Sequence, residues 1–234
     1  MVCLPRHQPP AGPQGIVFDF DGVIVNSEPV HLRSTQDALA RRGVTLSPDE
    51  YYGRYVGYDD VGMFRALASD RGLDWCSDDL QELLVAKALR FEALEASDAL
   101  LVPGAAACVR RMAAVAPLAI ASGARRPEIE RLLKRLGLDS FFPVIVASGE
   151  TEFSKPAPDP YTAAAAALRA RPQDTVAIED TAAGLASAKA AGLRCIGVTT
   201  TFPAAKLQIA DTIVGTLDEI TEDLVRSLVA RGRT

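Results

Sequence analysis

Asp19 and Asp21 stand one residue apart at the end of a short apolar run, Ile16-Val17-Phe18, and Gly22 follows them. A carboxylate can attack phosphorus to form an acyl phosphate. A second one can protonate a leaving oxygen and then deprotonate the attacking water. In an extended segment positions i and i+2 point the same way, so the two aspartates can serve one substrate. Further along, Ser122-Gly123, Lys155-Pro156 and Glu179-Asp180 each come after another apolar run. The hydroxyl of Ser122 and the amide of Gly123 can donate hydrogen bonds to phosphoryl oxygens, while Lys155 can neutralise a developing anion. Asp19, Asp21, Glu179 and Asp180 gathered in one cleft would repel each other. Mg²⁺ removes that repulsion, being a hard cation held by one or two carboxylates, a phosphate and waters. The chemistry these residue types imply is phosphoryl transfer on a phosphorylated substrate.

Those groups converge only if the intervening elements place them on one rim. Apolar runs at Leu118–Ala121, Val144–Ala147, Val176–Ile178, Cys195–Val198 and Thr212–Val214 predict buried strands like the one ending at Phe18. Helical patterns separate the later ones. Over Glu128–Leu138, residues Ile129, Leu132, Leu133 and Leu136 share a face, and Gly137 lies near the end. Gly192 similarly closes a helix over Ala182–Ala191, and Thr162–Ala170 reads as a short helix. Strands alternating with helices make βαβ units and a mostly parallel sheet. Ligands then bind beyond the carboxyl ends of the strands, where each candidate group falls.

From about Pro29 to Ser97 only helical patterns occur, at His31–Arg42, Asp60–Arg71 and Asp78–Glu95. The expected fold class is α/β, a Rossmann-like parallel sheet with an inserted all-α helical cap. Residues 15–28 and 98–234 form the core and 29–97 the cap. The cap would close over the substrate through hinges near Asn26–Glu28 and Asp98–Val102. Residues 1–14 carry four prolines without an apolar stretch and read as a disordered leader, not a signal peptide.

Composition narrows the function classes. The chain has 234 residues, 48 % hydrophobic and 24 % charged, enough to bury a core. No apolar run reaches the roughly 18 residues needed to cross a bilayer. A net charge of −5, with no basic stripe, argues against nucleic-acid binding. Four cysteines with no C-x-x-C pair and two histidines leave no Cys/His zinc site and suit a reducing compartment. A cytoplasmic enzyme is the expectation. One sequence leaves the oligomeric state unread, with a monomer as the default.

Asp19-Phe-Asp21-Gly22-Val, Ser122, Lys155-Pro156 and Glu179-Asp180 resemble the four ordered motifs of the haloacid dehalogenase superfamily. The segments Asp19–Pro29, Ser154–Tyr161 and Ile178–Gly184 are similar to its β-phosphoglucomutase-like branch, as is a helical cap inserted after the first motif. The resemblance implies Asp19 as nucleophile and Mg²⁺ ligand, and Asp21 as general acid/base that binds the metal through its backbone carbonyl. It implies Asp180 as the remaining carboxylate ligand, leaves Glu179 between direct and indirect ligation, and gives the phosphoryl group to Ser122 and Lys155. His31 corresponds to a cap histidine coupled to the acid/base, and Lys87 to a cap lysine that contacts substrate. The mutase's K-G-V-x-R loop is replaced here by Val56-Gly57-Tyr58-Asp59-Asp60, with no basic residue at either place. A phosphatase of a small phosphorylated metabolite is therefore the first expectation and a sugar phosphomutase the alternative. A catalytically idle binding module fits poorly, because every required acid is present.

Each residue also has a plain structural explanation. Asp and Gly favour turns, Glu179-Asp180 could cap the helix that follows, and Lys155 before proline could be a solvated loop residue. Their common position after successive strands is what separates the chemical explanation from these.

Overall fold

The structure, a computed structural model, describes residues 12–56, 58, 60–97 and 100–231, without the side chains of 96 and 97. Residues 1–11 of the expected leader lie outside that set. Gln14 is tied down: its amide donates to the Asp174 carbonyl at 2.7 Å and its side chain accepts from Arg171 N at 3.0 Å. The described residues pack into two compact units, one drawn from Met1–Asn26 and Leu101–Thr234, the other from Ser27–Leu100.

The first unit is an α/β sandwich. Its strands are β1 (Gly15–Phe18), β2 (Leu118–Ala121), β3 (Val144–Val146), β4 (Thr175–Glu179), β5 (Arg194–Val198) and β6 (Thr212–Val214). They form one parallel sheet in the order β3-β2-β1-β4-β5-β6. All of β1, β2 and β4 is buried, which their unbroken apolar runs require of strands covered on both faces. Val17 is level with Ala119 on one side and Ala177 on the other, and Ala177 is level with Cys195. That row packs against Tyr161, Ala164 and Ala165 of α7 (Asp159–Ala167) and Leu185 and Ala188 of α8 (Ala182–Ala190). Strand alternation sends Ile16, Phe18 and Ile120 to the opposite face, where Phe18 meets Phe142 edge-on at 5.7 Å. The remaining helices of this unit are α5 (Ala105–Ala113), α6 (Arg126–Leu136) and α9 (Glu222–Arg231). Because the strand order reverses direction about β1, a crevice opens at the carboxyl ends of β1 and β4.

The second unit is all-helical: α1 (Glu28–Ala40), α2 (Pro48–Glu50), α3 (Asp60–Arg71) and α4 (Ser77–Ser97), with a π-helical turn at Tyr51–Tyr55. Its core joins Leu39, Phe64, Leu67 and Leu83 with the buried ring of Tyr55. Trp75 packs on Phe64 at 6.4 Å.

Helix starts fall earlier than the apolar periodicity suggests. α1, α6 and α7 each begin with proline in the first turn, where a missing N–H and a fixed φ are tolerated. α7 also ends three residues early, because Arg169 turns left-handed at φ 55°. α6 ends as expected at Gly137, with φ 64°.

Candidate active site

Asp19 continues the β1 ladder by one residue, its amide donating to the Ile178 carbonyl at 2.9 Å. The chain then turns tightly. Gly22 N donates to Val25 O at 2.6 Å, and Asp21 pairs with Val25 in an isolated bridge. Ser122 caps β2 in the same way, with its amide on the Val146 carbonyl and its Oγ accepting from Ala124 N, both at 2.9 Å. Glu179 ends β4 and Asp180 follows it, one residue before Thr181, the N-cap of α8. The helix is therefore capped by Thr181, whose Oγ1 accepts from Gly184 N at 3.0 Å, and Asp180 is released from that duty.

Lys155 joins these elements. Its Nζ donates to Asp19 Oδ1 and Glu179 Oε1, each at 2.7 Å, and it lies 5.0 Å from the centre of the Tyr161 ring. Glu179 is fully buried and fully engaged. Oε1 also accepts from the Tyr161 hydroxyl at 3.0 Å, and Oε2 accepts from Asp180 N, Thr181 N and Thr181 Oγ1. Asp180 is the opposite case: its Oδ1 is buried with no hydrogen-bond partner among the described residues.

The electrostatics follow from burial. Desolvation, then the neighbouring Glu179 charge, push the Asp180 carboxyl up to about 7. Desolvation also raises Asp19 well above the ordinary carboxylate range, against the pull of Lys155. Burial works against the Lys155 charge, but Asp19 and Glu179 outweigh it, so its pKa is raised. One ammonium thus serves three clustered acids, which leaves the site short of positive charge.

A hard divalent cation fits that deficit. Asp19, Glu179 and Asp180 each bring an oxygen to within 4.8 Å of the others, and the donor set is entirely oxygen. The orphaned Asp180 Oδ1 is the acceptor such an ion would complete. Gly123 borders open space, where an added Cβ would meet nothing within 4 Å. At Gly22 and Gly184 the reverse holds, with added Cβ atoms 1.9 Å from Asp180 Oδ2 and 1.6 Å from Glu179 Oε1.

His31 and Lys87 lie in the helical unit. Lys87 is buried, and its Nζ donates to Asp60 Oδ1 and, at 3.1 Å, to His31 Nδ1. An ammonium can only donate, so Nδ1 accepts and the imidazole proton sits on Nε2. Desolvation, then the Lys87 charge, lower the His31 pKa to about 4. The ring stacks on Phe91 at 4.4 Å. Tyr55 is buried with its hydroxyl on Asp70, whereas Tyr52 and Tyr58 are exposed. Arg126, beside the Ser122 loop, is committed to Glu150, Glu130 and the Ile145 carbonyl.

Reading the sequence by motif includes Tyr161 in the Ser154–Tyr161 segment without giving it a role, and passes over Thr200 and Thr201. The signal available for the threonines was position: Thr199-Thr200-Thr201 follows β5 at the same carboxyl rim.

An acid cluster bridged by lysine at the switch point of a parallel sheet, with an all-helical unit inserted after β1, places the chain among α/β hydrolases of Rossmann-like topology. Residues 13–192 match the haloacid dehalogenase-like hydrolase family, and the chain belongs to it. The chain is 31 % identical over 197 residues to Protein SUPPRESSOR OF QUENCHING 1, chloroplastic, of Arabidopsis thaliana. That match covers 83 % of this chain, which spans only 19 % of the plant protein's length. It is 27 % identical to validoxylamine A 7'-phosphate phosphatase of Streptomyces hygroscopicus subsp. limoneus, over 87 % of this chain and 94 % of that one. Among solved structures, a mutant of CbbY from Rhodobacter sphaeroides in complex with xylulose-(1,5)bisphosphate superposes with a TM-score of 0.74. The two share 28 % identity over 88 % of this chain and 96 % of that one.

Proposed function

We propose that this protein is a Mg²⁺-dependent phosphatase that hydrolyses a small phosphorylated metabolite, a sugar phosphate, through an aspartyl phosphate on Asp19. The observation that carries the reading is the buried cluster in which Lys155 bridges Asp19 and Glu179 while Asp180 keeps an unpartnered oxygen. The relatives that act on or bind a phosphorylated sugar-like compound support the substrate class.

Asp19 attacks phosphorus, and Asp21 gives its proton to the departing alcohol. Asp21 then takes a proton from the water that releases phosphate from Asp19. Ser122 Oγ already accepts from Ala124 N, so its own proton is the one offered to a phosphoryl oxygen. The amide of Gly123 donates beside it. Lys155 holds the transferring charge. Glu179, saturated by protein donors, aims that lysine. Asp19, Asp180 and the Asp21 carbonyl would hold Mg²⁺, with Glu179 adding charge from behind Lys155. When bound, the ion screens the repulsion between nucleophile and phosphoryl group.

Phosphate release from p-nitrophenyl phosphate, hexose and pentose phosphates and phosphoglycolate, with Mg²⁺ and then with EDTA, tests this. The expected result is EDTA-sensitive release with one sugar phosphate far ahead. No release from any ester, or release indifferent to EDTA, would overturn it.

A further inference from the structure

Thr200 and Thr201 lie in the loop after β5, a strand that supplies none of the groups above. Thr200 Oγ1 donates to the Gly22 carbonyl at 2.5 Å, three residues after Asp19. The Thr201 hydroxyl lies near enough to the Asp180 carboxylate to favour its charged form. A Cβ built on Gly22 would lie 1.9 Å from Asp180 Oδ2 and 2.7 Å from Thr201 Oγ1, so both oxygens crowd against the bare Cα of that glycine. One carboxylate oxygen thus lies against Gly22 on the side where the Thr201 hydroxyl also sits. The other, Oδ1, is buried with no partner among the described residues. A contact at one oxygen of a carboxylate biases its rotation and so the direction of the second oxygen.

We infer that Thr201 is a positioning residue that locks the Asp180 carboxylate so that Oδ1 faces the cation, while Thr200 ties the turn bearing Asp19 and Asp21 to the same loop. The inference rests on the Mg²⁺ site proposed above. Groups that orient a metal ligand typically change metal affinity by about 10- to 100-fold when removed.

Calorimetric titration of the full chain with Mg²⁺ alone tests it, without relying on turnover. Thr201→Val should weaken Mg²⁺ binding about tenfold or more, and Thr201→Ala similarly. Thr201→Ser, which restores the hydroxyl, should bind within about twofold of the unmodified chain. The Val variant should recover most of its kcat at saturating Mg²⁺, so the defect appears in the metal requirement. Circular dichroism confirms that each variant is folded. If Asp180→Asn loses Mg²⁺ binding while Thr201→Val and Thr201→Ala bind like the unmodified chain, the inference is wrong and the site stands. If Asp180→Asn binds Mg²⁺ as tightly as the unmodified chain, the metal site itself is wrong and the inference falls with it.

Discussion

At the scale of single residues, Lys155 decides the charge balance, because its ammonium lies 2.7 Å from both Asp19 and Glu179. Removing one partner of a buried ion pair strands the other, at a cost of about 3 kcal/mol. Lys155→Met should therefore lower stability by about that much in denaturant titration and abolish measurable turnover. Stability equal to that of the unmodified chain would show that the carboxylates need no such partner. His31 gives a second test. Its pKa of about 4 lies below the ordinary 6.5, so the unfolded chain binds the extra proton between those values. The stability contributed by the neutral ring is complete above pH 6.5 and declines as pH falls toward 4. An NMR titration should find His31 near 4, and Lys87→Met should move it upward; a His31 value of 6.5 in the unmodified chain would contradict the buried contact. Asp19, Lys155, Glu179 and Asp180 could be read as a group because each follows a strand and carries a charge. Thr200 and Thr201 follow β5 in the same way but are neutral and belong to none of the motifs, and Tyr161 reaches Glu179 from within α7 through a tertiary contact.

At the scale of elements, two glycines make opposite predictions. Gly184 sits in the first turn of α8, where alanine ordinarily gains about 1 kcal/mol in helix propensity. Here the added Cβ would fall 1.6 Å from Glu179 Oε1 and push that side chain off Lys155. Gly184→Ala should lower both the melting temperature and turnover. Gly123→Ala, with open space beside it, should leave the melting temperature within about 2 °C and lower turnover by crowding the phosphoryl group. A thermal melt of each, beside an activity assay, checks the pair; equal melting shifts would refute the contrast. The strands were legible because each carries an unbroken apolar run of two to four residues, as strands covered on both faces require. α5 was harder to see. Its buried face, Ala105, Cys108, Val109 and Met112, has the i, i+3, i+4, i+7 spacing of a helix, but the flanking Ala106, Ala107, Ala113 and Ala114 blur it into longer apolar runs. The π-helical turn at Tyr51–Tyr55 has no period to read, and its form depends on Tyr51 and Tyr55 burying against neighbours.

At the scale of the whole molecule, the α/β unit carries an acid cluster it cannot neutralise with its own lysine. A cation bound only by the folded chain should stabilise it. At a free Mg²⁺ concentration 100 times the dissociation constant the gain is about 2.7 kcal/mol. For a chain of this size that corresponds to a rise of roughly 5–10 °C in melting temperature. Differential scanning with Mg²⁺ and with EDTA should show that rise, and Asp180→Asn should erase it. No helix among the described residues is long and apolar enough to cross a membrane.

On the reading proposed above, a carboxylate oxygen of Asp19 is the nucleophile that attacks phosphorus. The most direct test is the turnover of Asp19→Asn on the ester that the unmodified chain hydrolyses best, with folding checked by circular dichroism. Loss of a nucleophile should reduce kcat by about 10⁴-fold or more while the fold persists. Turnover within tenfold of the unmodified enzyme would remove Asp19 from that role.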